Sequence, residues 1–357
     1  MPDHIVVAHD YLTQRGGAER VALELARRLG ARELITSVYA PELTFGGLDG
    51  FPIRQSASRL LQAQRADIRR ALPLLAPAWS QMPEVDADVL VCSSSGWSHG
   101  LRATDSTFKV VYCHNPARWL YQRADYATGA SAAVRTALTV LAPALRRWDQ
   151  RAARSADLYL ANSTWVAARI LRVYGLTARV VHPPMSLDPT GPQTAVDGID
   201  PGYFLTVSRA RGYKGTSRLI EAFARMSEQR LVVVGWDFPE DLTPNVTALS
   251  AVSEEQLRWL YAHARALMSV SHEDFGLTPV EAGAFGTPSL LLRAGGFTDS
   301  TEEHVSGSFV ESDSVDAVMD AVRGYRTDWD ADLVRANAAR FSPEAFERHL
   351  RRAIGLD

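Results

Sequence analysis

The sequence predicts an α/β fold made of two halves, and three observations lead to this prediction. Short apolar runs rich in β-branched residues alternate with amphipathic helical patterns, which is typical of parallel sheets covered on both faces. The apolar runs fall into two sets of six. A stretch dense in proline and glycine, residues 183–202, separates the sets and suits neither a helix nor a central strand. The 357 residues therefore predict two Rossmann-like halves.

Each half contains six predicted strands. The predicted strands of the first half are residues 4–9, 33–38, 89–93, 109–114, 158–162 and 179–182. Those of the second half are residues 203–207, 230–235, 246–249, 266–270, 289–292 and 307–310. Helices are predicted at residues 18–29, 217–226 and 343–354, the last after a Ser342 cap. The first domain is placed at residues 1–184 and the second at residues 185–342, with ligand outside the carboxyl ends of both sheets.

Composition excludes several classes of protein. A net charge of −3 gives no overall basic field for nucleic acid. Cys92 and Cys113 lie in apolar runs and are expected to be buried, reduced thiols of a cytoplasmic protein. No cysteine or histidine spacing suggests a metal site, and no D-x-D metal-binding motif is expected. Neither a signal peptide nor an apolar run of roughly 20 residues occurs.

Two glutamates, Glu273 and Glu281, flank a predicted strand-to-helix turn that contains Phe275, Gly276 and Leu277. The helix is predicted to begin at residue 279, which places Glu281 in its first turn. A helix start presents unpaired N–H groups and the positive end of a dipole, which suit an anion. Carboxylates accept hydrogen bonds from hydroxyl groups. The pattern therefore predicts a ligand in which a sugar is joined to a diphosphate.

Together with the Gly-Thr-Pro run at residues 286–288, this segment resembles the E-x7-E signature of retaining glycosyltransferases of family 4. The resemblance implies the GT-B fold, two Rossmann-like domains whose parallel sheets face each other across a cleft. It implies that Glu273 binds hydroxyls of the donor sugar and Glu281 the ribose. It also implies that the helix 343–357 crosses back to the first domain, which binds the acceptor, while the second binds the nucleotide sugar.

In each half, the loop that follows the first strand is a further candidate for ligand binding. Gly16 and Gly17 let the backbone approach a ligand closely, although a tight turn without ligand is the alternative. Arg209 and Lys214 suit a leaving diphosphate, with two solvated cations as the alternative. By resemblance, both loops meet the donor diphosphate, and the segment at Val252 reads the base edge.

The strand 109–114 ends in a run that resembles the H-x-P-x-R pattern of bacterial polysaccharide members of the family. A lone histidine is more often structural than catalytic. By resemblance, His114 lies near the donor sugar, whereas Arg118, and Tyr11 after the first strand, are assigned to the acceptor side. Asn162 and Ser163 match an N-S-x-x-V segment, which is interpreted as a helix cap.

The stretch from Arg54 to Trp79 is basic and amphipathic. Two interpretations remain, and the favoured one is a solvated helix face of a cytoplasmic protein. The other is contact with an anionic membrane surface beside a lipid-linked acceptor, which would make the protein peripheral on the inner face of the membrane.

The family implies transfer of a mannose- or rhamnose-type sugar from a GDP- or UDP-linked donor to a hydroxyl of a lipid-linked or cell-surface glycan. The donor is a substrate, and no metal or other cofactor is expected. The predicted catalytic residues are Glu273, His114, Arg209 and Lys214. Transfer to a soluble natural product, a sugar-nucleotide epimerase, a phosphorylase and a catalytically silent sensor remain as alternatives.

Overall fold

The computed structural model describes residues 3–65, 68, 72–122, 132–207, 215–235 and 241–356. The chain forms two compact units. The part before Pro184 and the segment from Phe346 onwards make the first unit, and Pro184–Ala345 make the second. Each unit contains one parallel sheet covered by helices, as the sequence predicts.

The first unit contains a seven-stranded sheet. Its strands are β1 Ile5–His9, β2 Glu33–Thr36, β3 Ile53–Gln55, β4 Val89–Ser94, β5 Phe108–Cys113, β6 Leu158–Ala161 and β7 Arg179–Val180. Their order in the sheet is β3-β2-β1-β4-β5-β6-β7, and all neighbours are parallel. Six of these strands match the predicted set, and β3 is an additional edge strand.

The second unit contains a six-stranded sheet. Its strands are β8 Phe204–Val207, β9 Leu231–Val234, β10 Val246–Leu249, β11 Ala266–Ser269, β12 Ser289–Leu292 and β13 Gly307–Val310. The order β10-β9-β8-β11-β12-β13 is again all parallel. Strand order reverses between β1 and β4 in the first sheet and between β8 and β11 in the second. In open α/β sheets ligands bind at the carboxyl side of such a switch point.

Helices connect the strands of both sheets. In the first unit they are Gly17–Leu29, Arg59–Gln62, Leu72–Gln81, Arg118–Tyr121, Ala132–Arg154 and Thr164–Tyr174. In the second unit they are Thr216–Ala224, Glu254–His263, Leu277–Ala284, Phe297–Ser300, Val315–Arg323 and Ala331–Ala339. Pro343–Ile354 follows, and short 3₁₀ turns occur at Pro41–Leu43 and Ser98–Gly100.

Alternation along the strands explains why the first sheet is covered on both faces. In β1, Val6 and Ala8 join one buried apolar cluster, whereas Ile5 and Val7 join the other. All five residues of β1 are buried. Because both faces of this strand are covered by protein, its sequence is an almost continuous apolar run. Cys92 and Cys113 face one of these clusters and are free thiols, as expected.

The helix Pro343–Ile354 completes the core of the first unit. Phe346, Leu350 and Ile354 lie on one face at intervals of four residues and join the cluster that contains Val7. The ring of Phe346 meets that of Tyr112 edge to face, with centroids 6.1 Å apart. The last described helix therefore packs on the first unit although it follows the second in sequence.

The basic stretch from Arg54 to Trp79 divides into separate elements in its described part. Arg54 belongs to β3 and pairs with Glu33 at 2.8 Å. Two helices follow, in which Leu61 and Leu75 are buried in the core, as is Trp79. The stretch is therefore not one amphipathic helix in its described part, because Leu61, Leu75 and Trp79 face the core. Residues 66, 67 and 69–71 lie outside the described residues.

Candidate active site

The turn between β11 and the helix Leu277–Ala284 carries the two predicted glutamates. Gly276 precedes the helix with φ 83°, and a Cβ atom there would collide with the ring of Phe297. Gly276 stands at the N-cap position and has no side chain with which to cap the helix. The helix begins at Leu277 and not at Pro279, so Glu281 lies in its second turn, not in its first as expected.

A second glycine pair holds the backbone of Glu273. The N–H of Gly296 donates to the carbonyl oxygen of Glu273 at 2.9 Å. Any Cβ atom on Gly295 or Gly296 would overlap the backbone of Glu273 or Asp274. Only glycine therefore permits this contact. Neither glycine was predicted to belong to the site, although a Gly-Gly pair just after a predicted strand was the available signal.

The two glutamates have different surroundings. Oε1 of Glu273 accepts a hydrogen bond from Ser271 Oγ at 3.3 Å. In Glu281, Oε1 accepts from Ser186 Oγ at 2.8 Å and Oε2 accepts from Tyr261 OH at 3.1 Å. Glu281 is thus a carboxylate already bound to two hydroxyls. It retains acceptor capacity, because a carboxylate offers about four lone-pair sites.

The predicted cation loop lies outside the described residues, which exclude 208–214 and with them Arg209 and Lys214. The loop returns at Gly215, which precedes the helix Thr216–Ala224 with φ 66°. A Cβ atom on Gly215 would lie 2.9 Å from the carbonyl oxygen of Val270. This helix start therefore lies directly beside the segment that leads to Glu273.

Val252 lies between β10 and the helix Glu254–His263. Its side chain is half-buried against the apolar cluster around Leu260. Ser253 caps the following helix: its Oγ accepts from the N–H of Gln256 at 3.1 Å, and the Gln256 side chain accepts from the N–H of Ser253 at 3.0 Å. The backbone at Val252 is consequently fixed, and base reading there remains a prediction.

In the first unit, Gly16 and Gly17 stand at the start of the helix Gly17–Leu29. The backbone of Gly16 is extended, so its glycine is required by close approach: a Cβ atom there would collide with the carboxylate of Glu19. Glu19 is buried and accepts from Gln14 Nε2 at 2.7 Å. Tyr11 packs partly buried against the core, at the same edge of the sheet.

His114 follows β5 directly and is 8% exposed. Its Nε2 lies 2.8 Å from Ser93 Oγ, and Ser93 Oγ in turn lies 3.0 Å from Nδ1 of His9. Burial, and then the neighbouring His9, lower the pKa of His114 to about 3. The ring is therefore neutral near pH 7. The structure brings together residues of three strands here, whereas the sequence singled out His114 alone.

Arg118 begins the short helix Arg118–Tyr121, close to His114 in sequence. The next residue, Trp119, stacks on Trp97 with ring centroids 4.2 Å apart. Gly96, with φ 128°, allows this approach, because its Cβ would lie 2.6 Å from that of Ala117. The loops after β4 and β5 are thus locked together.

Asn162 and Ser163 have the capping role that the sequence predicts. Ser163 Oγ accepts from the N–H of Val166 at 3.1 Å and so caps the helix Thr164–Tyr174. Asn162 Nδ2 donates to the carbonyl oxygen of His114 at 3.1 Å. This contact ties the cap to the backbone of the histidine.

A second buried polar group lies behind the loop after β4. Ser94 Oγ lies 2.9 Å from His99 Nδ1, and His99 Nε2 lies 3.1 Å from Asp149 Oδ1. All three side chains are buried, and Ser94 Oγ also accepts from the N–H of Gly96 at 3.0 Å. The set resembles a nucleophilic triad only in its residue types, since no substrate reaches a fully buried hydroxyl. It stabilises the loop.

Pairs of aspartates two residues apart do occur, which corrects the assumption that no such metal-binding pattern is present. They are Asp86 with Asp88, Asp328 with Asp330, and Asp330 with Asp332. Asp88 accepts from two backbone N–H groups before β1, and Asp330 caps the helix Ala331–Ala339. Asp328 and Asp332 pair with arginines. Within the described residues, no three histidine, cysteine or acidic side chains form a group suited to a metal.

Among the helices that the structure describes, none combines the length and apolar composition that crossing a bilayer requires.

Two family models match the chain. The model described as Glycosyltransferase Family 4 matches residues 15–188. The model described as Glycosyl transferases group 1 matches residues 197–342. The first range falls in the first unit almost entirely, and the second falls in the second unit. The two halves of the predicted architecture are therefore matched separately and in the predicted order.

Curated proteins give two kinds of match. The human Alpha-1,3/1,6-mannosyltransferase ALG2 is 25% identical over 398 residues, which cover 95% of this chain and 92% of its own. The D-inositol 3-phosphate glycosyltransferase of Mycolicibacterium smegmatis is 28% identical over 216 residues, 53% of this chain and 50% of its own. The chain thus matches about half the length of the inositol phosphate enzymes.

Solved structures share the architecture over almost the full chain. Anabaena Alr3699/HepE in complex with UDP-glucose has a TM-score of 0.67 and 17% identity, with 98% of this chain and 99% of that chain covered. Sucrose-phosphate synthase from Thermosynechococcus elongatus has a TM-score of 0.70 and 18% identity, with 98% of each chain covered. Identities this low show a common fold, which is the GT-B fold of two Rossmann-like units. The two family matches, which follow one another along the chain, identify it as a member of glycosyltransferase family 4.

Proposed function

We propose that this glycosyltransferase retains the anomeric configuration and moves a mannose- or rhamnose-type sugar from a nucleoside-diphosphate sugar to a hydroxyl of a lipid-linked or cell-surface glycan. The observation that carries the proposal is the turn in which Glu273 and Glu281 flank a helix start with glycine at the N-cap position. The nearly full-length similarity to the mannosyltransferase ALG2 favours mannose. The complexes of HepE with UDP and UDP-glucose favour a nucleotide-sugar donor. We propose that this donor is linked to UDP or GDP.

Departure of the diphosphate is the step that the second unit serves. Negative charge grows on the diphosphate as the sugar leaves, and positive groups stabilise it most in that state. The helix start after Gly276 supplies N–H groups, and Arg209 and Lys214 supply cations. Phe275 and Leu277 belong to the same turn. These groups make a metal unnecessary for the leaving group.

Recognition of the donor is divided between the glutamates. Glu273 binds hydroxyls of the sugar, in the manner in which it accepts from Ser271 in this structure. Glu281 binds the ribose with the acceptor capacity left beside Ser186 and Tyr261. The backbone at Val252 reads the base. The acceptor hydroxyl attacks from the face that the diphosphate leaves, with the diphosphate as the base.

The first unit contributes Gly16 and Gly17 near the diphosphate and His114 near the sugar. Because burial lowers the pKa of His114 to about 3, this residue acts as a neutral group. Tyr11 and Arg118 serve the acceptor side. Transfer to a soluble acceptor would leave all these donor contacts unchanged. An assay with both kinds of acceptor is therefore needed to distinguish a soluble acceptor from a lipid-linked or cell-surface glycan.

A panel of GDP-, UDP-, ADP- and dTDP-sugars tests the proposal. We expect a GDP- or UDP-sugar to raise the free energy of unfolding by about 2.7 kcal/mol at 100 times its dissociation constant. Transfer to a membrane extract should give a product with the anomeric configuration of the donor, in the presence of excess EDTA. A product of inverted configuration would refute retention. A complete loss of activity that magnesium or manganese restores would refute metal independence, and no response to any donor would refute the proposed donor class.

Membrane contact is proposed for the exposed apolar residues of the basic stretch on the cytoplasmic face. Leu60 and Leu74 are 68% and 39% exposed, and Arg65 is exposed beside them in sequence. We expect the protein to sediment with vesicles that contain anionic lipid and not with neutral ones. The L60S and L74S substitutions should release it, whereas L333S, at a site 52% exposed in the second unit, should not. Equal sedimentation of all variants would exclude this surface.

A further inference from the structure

We propose that Ser93 and His9 are positioning residues that hold His114 as the tautomer with its proton on Nδ1. His114 then offers a hydrogen-bond donor, and not a base, to a hydroxyl oxygen of the transferred sugar. The tautomer follows from contacts within the first unit. Only the identity of the ligand rests on the proposed function.

A carbonyl group sets the direction of the hydrogen bonds that run from His9 through Ser93 to His114. His9 Nδ1 lies 3.1 Å from the carbonyl oxygen of Ser93 and 3.0 Å from Ser93 Oγ. A carbonyl oxygen only accepts, so Nδ1 of His9 must carry a proton for this contact to be favourable. The same N–H then donates to Ser93 Oγ. With the opposite polarity, two lone pairs would face each other in a buried site.

The Ser93 hydroxyl transmits this polarity to His114. Its oxygen accepts from His9, and among the described residues the acceptor at hand for its single proton is Nε2 of His114 at 2.8 Å. A proton on Nε2 would leave this buried hydroxyl proton without an acceptor, so Nε2 accepts. A neutral imidazole whose Nε2 accepts carries its proton on Nδ1. The tautomer of His114 thus depends on a residue 105 positions earlier in the chain, through the neighbouring strands β1, β4 and β5.

The ring of His114 is held in place on its other sides. The backbone N–H of His114 donates to the carbonyl oxygen of Ser94 at 2.8 Å, and its own carbonyl accepts from Asn162. The ring of Tyr112 packs against it with centroids 5.3 Å apart. Within the described residues, no hydrogen-bond partner is found for Nδ1, and it is not among the fully buried unpaired atoms. The donor that the tautomer creates is therefore the one available to a ligand.

The titratable groups around His114 agree with a neutral ring. His9 and Tyr112 face it, and Cys113 precedes it. The nearest acidic residue along β1, Asp10, is engaged elsewhere, because its two oxygens accept from the N–H groups of Ser95 and Ser98 at 2.8 and 2.7 Å. No carboxylate among these groups stabilises an imidazolium, and burial opposes one.

Nitrogen NMR of protein labelled with ¹⁵N-histidine tests the tautomer directly, without substrate. The signal of His114 is identified by its loss in H114N. We expect the pattern of a protonated Nδ1 and an unprotonated Nε2 in the wild type. S93A should increase the Nε2-protonated form. S98A, which removes a hydroxyl that donates to the same Ser93 carbonyl at 2.9 Å, should leave the tautomer unchanged. A protonated Nε2 in the wild type overturns the inference.

Two substitutions of His114 test whether its Nδ1 donates a hydrogen bond to the sugar. The amide of asparagine can place an N–H near the position of Nδ1, whereas that of glutamine reaches the position of Nε2. We expect H114N to exceed H114Q in kcat/KM by about tenfold, since one hydrogen bond separates them. Equal activity, or higher activity of H114Q, overturns the donor role. If no sugar nucleotide reacts with any variant, the proposed function fails, while the NMR result still decides the tautomer.

Discussion

At the scale of single residues, the carboxylates of Glu273 and Glu281 differ in what they already bind. We expect E273A to weaken binding of the intact donor and to leave the nucleoside diphosphate unaffected. We expect E281A to weaken both ligands, because the ribose is common to them. Each lost partner should cost about 1–3 kcal/mol, and calorimetric titration with both ligands measures it.

The partners of Glu281 supply the control for this comparison. Y261F removes the hydroxyl that donates to Oε2 but keeps the carboxylate and the buried ring. It should therefore resemble the wild type more closely than E281A does. Equal losses for both ligands in E273A and E281A would mean that the glutamates are structural.

The two cations of the loop 208–214 are expected to act on the chemical step. R209A and K214A should each lower kcat by about 10² or more, since a lost transition-state donor costs roughly 2.7–4 kcal/mol. Single-turnover rates with a saturating donor measure the effect. R218A, on the helix that follows the loop, removes an exposed arginine paired with Asp313 and serves as a control. Normal turnover in both loop variants would remove these residues from the mechanism.

Burial of His114 also makes stability depend on pH. Its pKa falls from 6.5 in the unfolded chain to about 3 in the folded one, so below pH 6.5 the unfolded state binds a proton that the folded state does not. The free energy of unfolding should therefore decrease as the pH falls from 6.5 towards 3, by at most about 1.4 kcal/mol per pH unit for this group. Urea unfolding at several pH values checks this, and H114N should show a shallower dependence. Parallel profiles would contradict it.

At the scale of elements, the sequence predicts the apolar strands well and an edge strand with polar residues poorly. β3 was missed because its three residues include Arg54 and Gln55, and only one neighbour, β2, stabilises it. Three helices begin one or two residues before the predicted start, at Gly17, Thr216 and Leu277. Helix starts are decided by cap geometry, which propensity does not describe.

The candidate site also has parts that the sequence could predict and parts that it could not. The glutamate turn could be predicted because strand, glycine and helix are consecutive in sequence. The contact of Ser93 with His114, and that of Gly296 with Glu273, could not, because each joins segments far apart in sequence whose proximity depends on strand order. Parallel sheets bring such loops to one edge, but which atoms meet is set by register and by the absence of a side chain.

The glycine pair after β12 allows a test with a matched control. Gly295 and Gly30 share a left-handed backbone, with φ 62° and 64°. A Cβ atom on Gly295 would collide with the backbone of Glu273, whereas nothing lies within 4 Å of one on Gly30. Both alanine variants should lose about 1–2 kcal/mol of stability from backbone strain. Only G295A should also lose donor binding.

Thermal unfolding and donor titration separate the two effects. If G30A lost donor binding to the same extent as G295A, the loss would come from general destabilisation and not from displacement of Glu273.

At the scale of the whole molecule, the first unit is discontinuous in sequence. F346A should lower its free energy of unfolding by about 3–5 kcal/mol, because the removed ring leaves a cavity beside Tyr112. R348A, on the exposed side of the same helix, should change stability by no more than about 0.5 kcal/mol. Denaturant unfolding followed by probes in each unit measures this. A loss confined to the second unit would contradict the packing of this helix.

That discontinuity also sets an order of events during synthesis. Domains generally fold as units while the chain emerges from the ribosome. Here the second unit has all of its residues before Phe346 leaves the exit tunnel, although the first unit began to emerge earlier. One face of the first sheet, around Val7 and Val91, must then wait for Phe346, Leu350 and Ile354. The half synthesised first is thus completed last, and during that interval its uncovered apolar face is where a chaperone would bind.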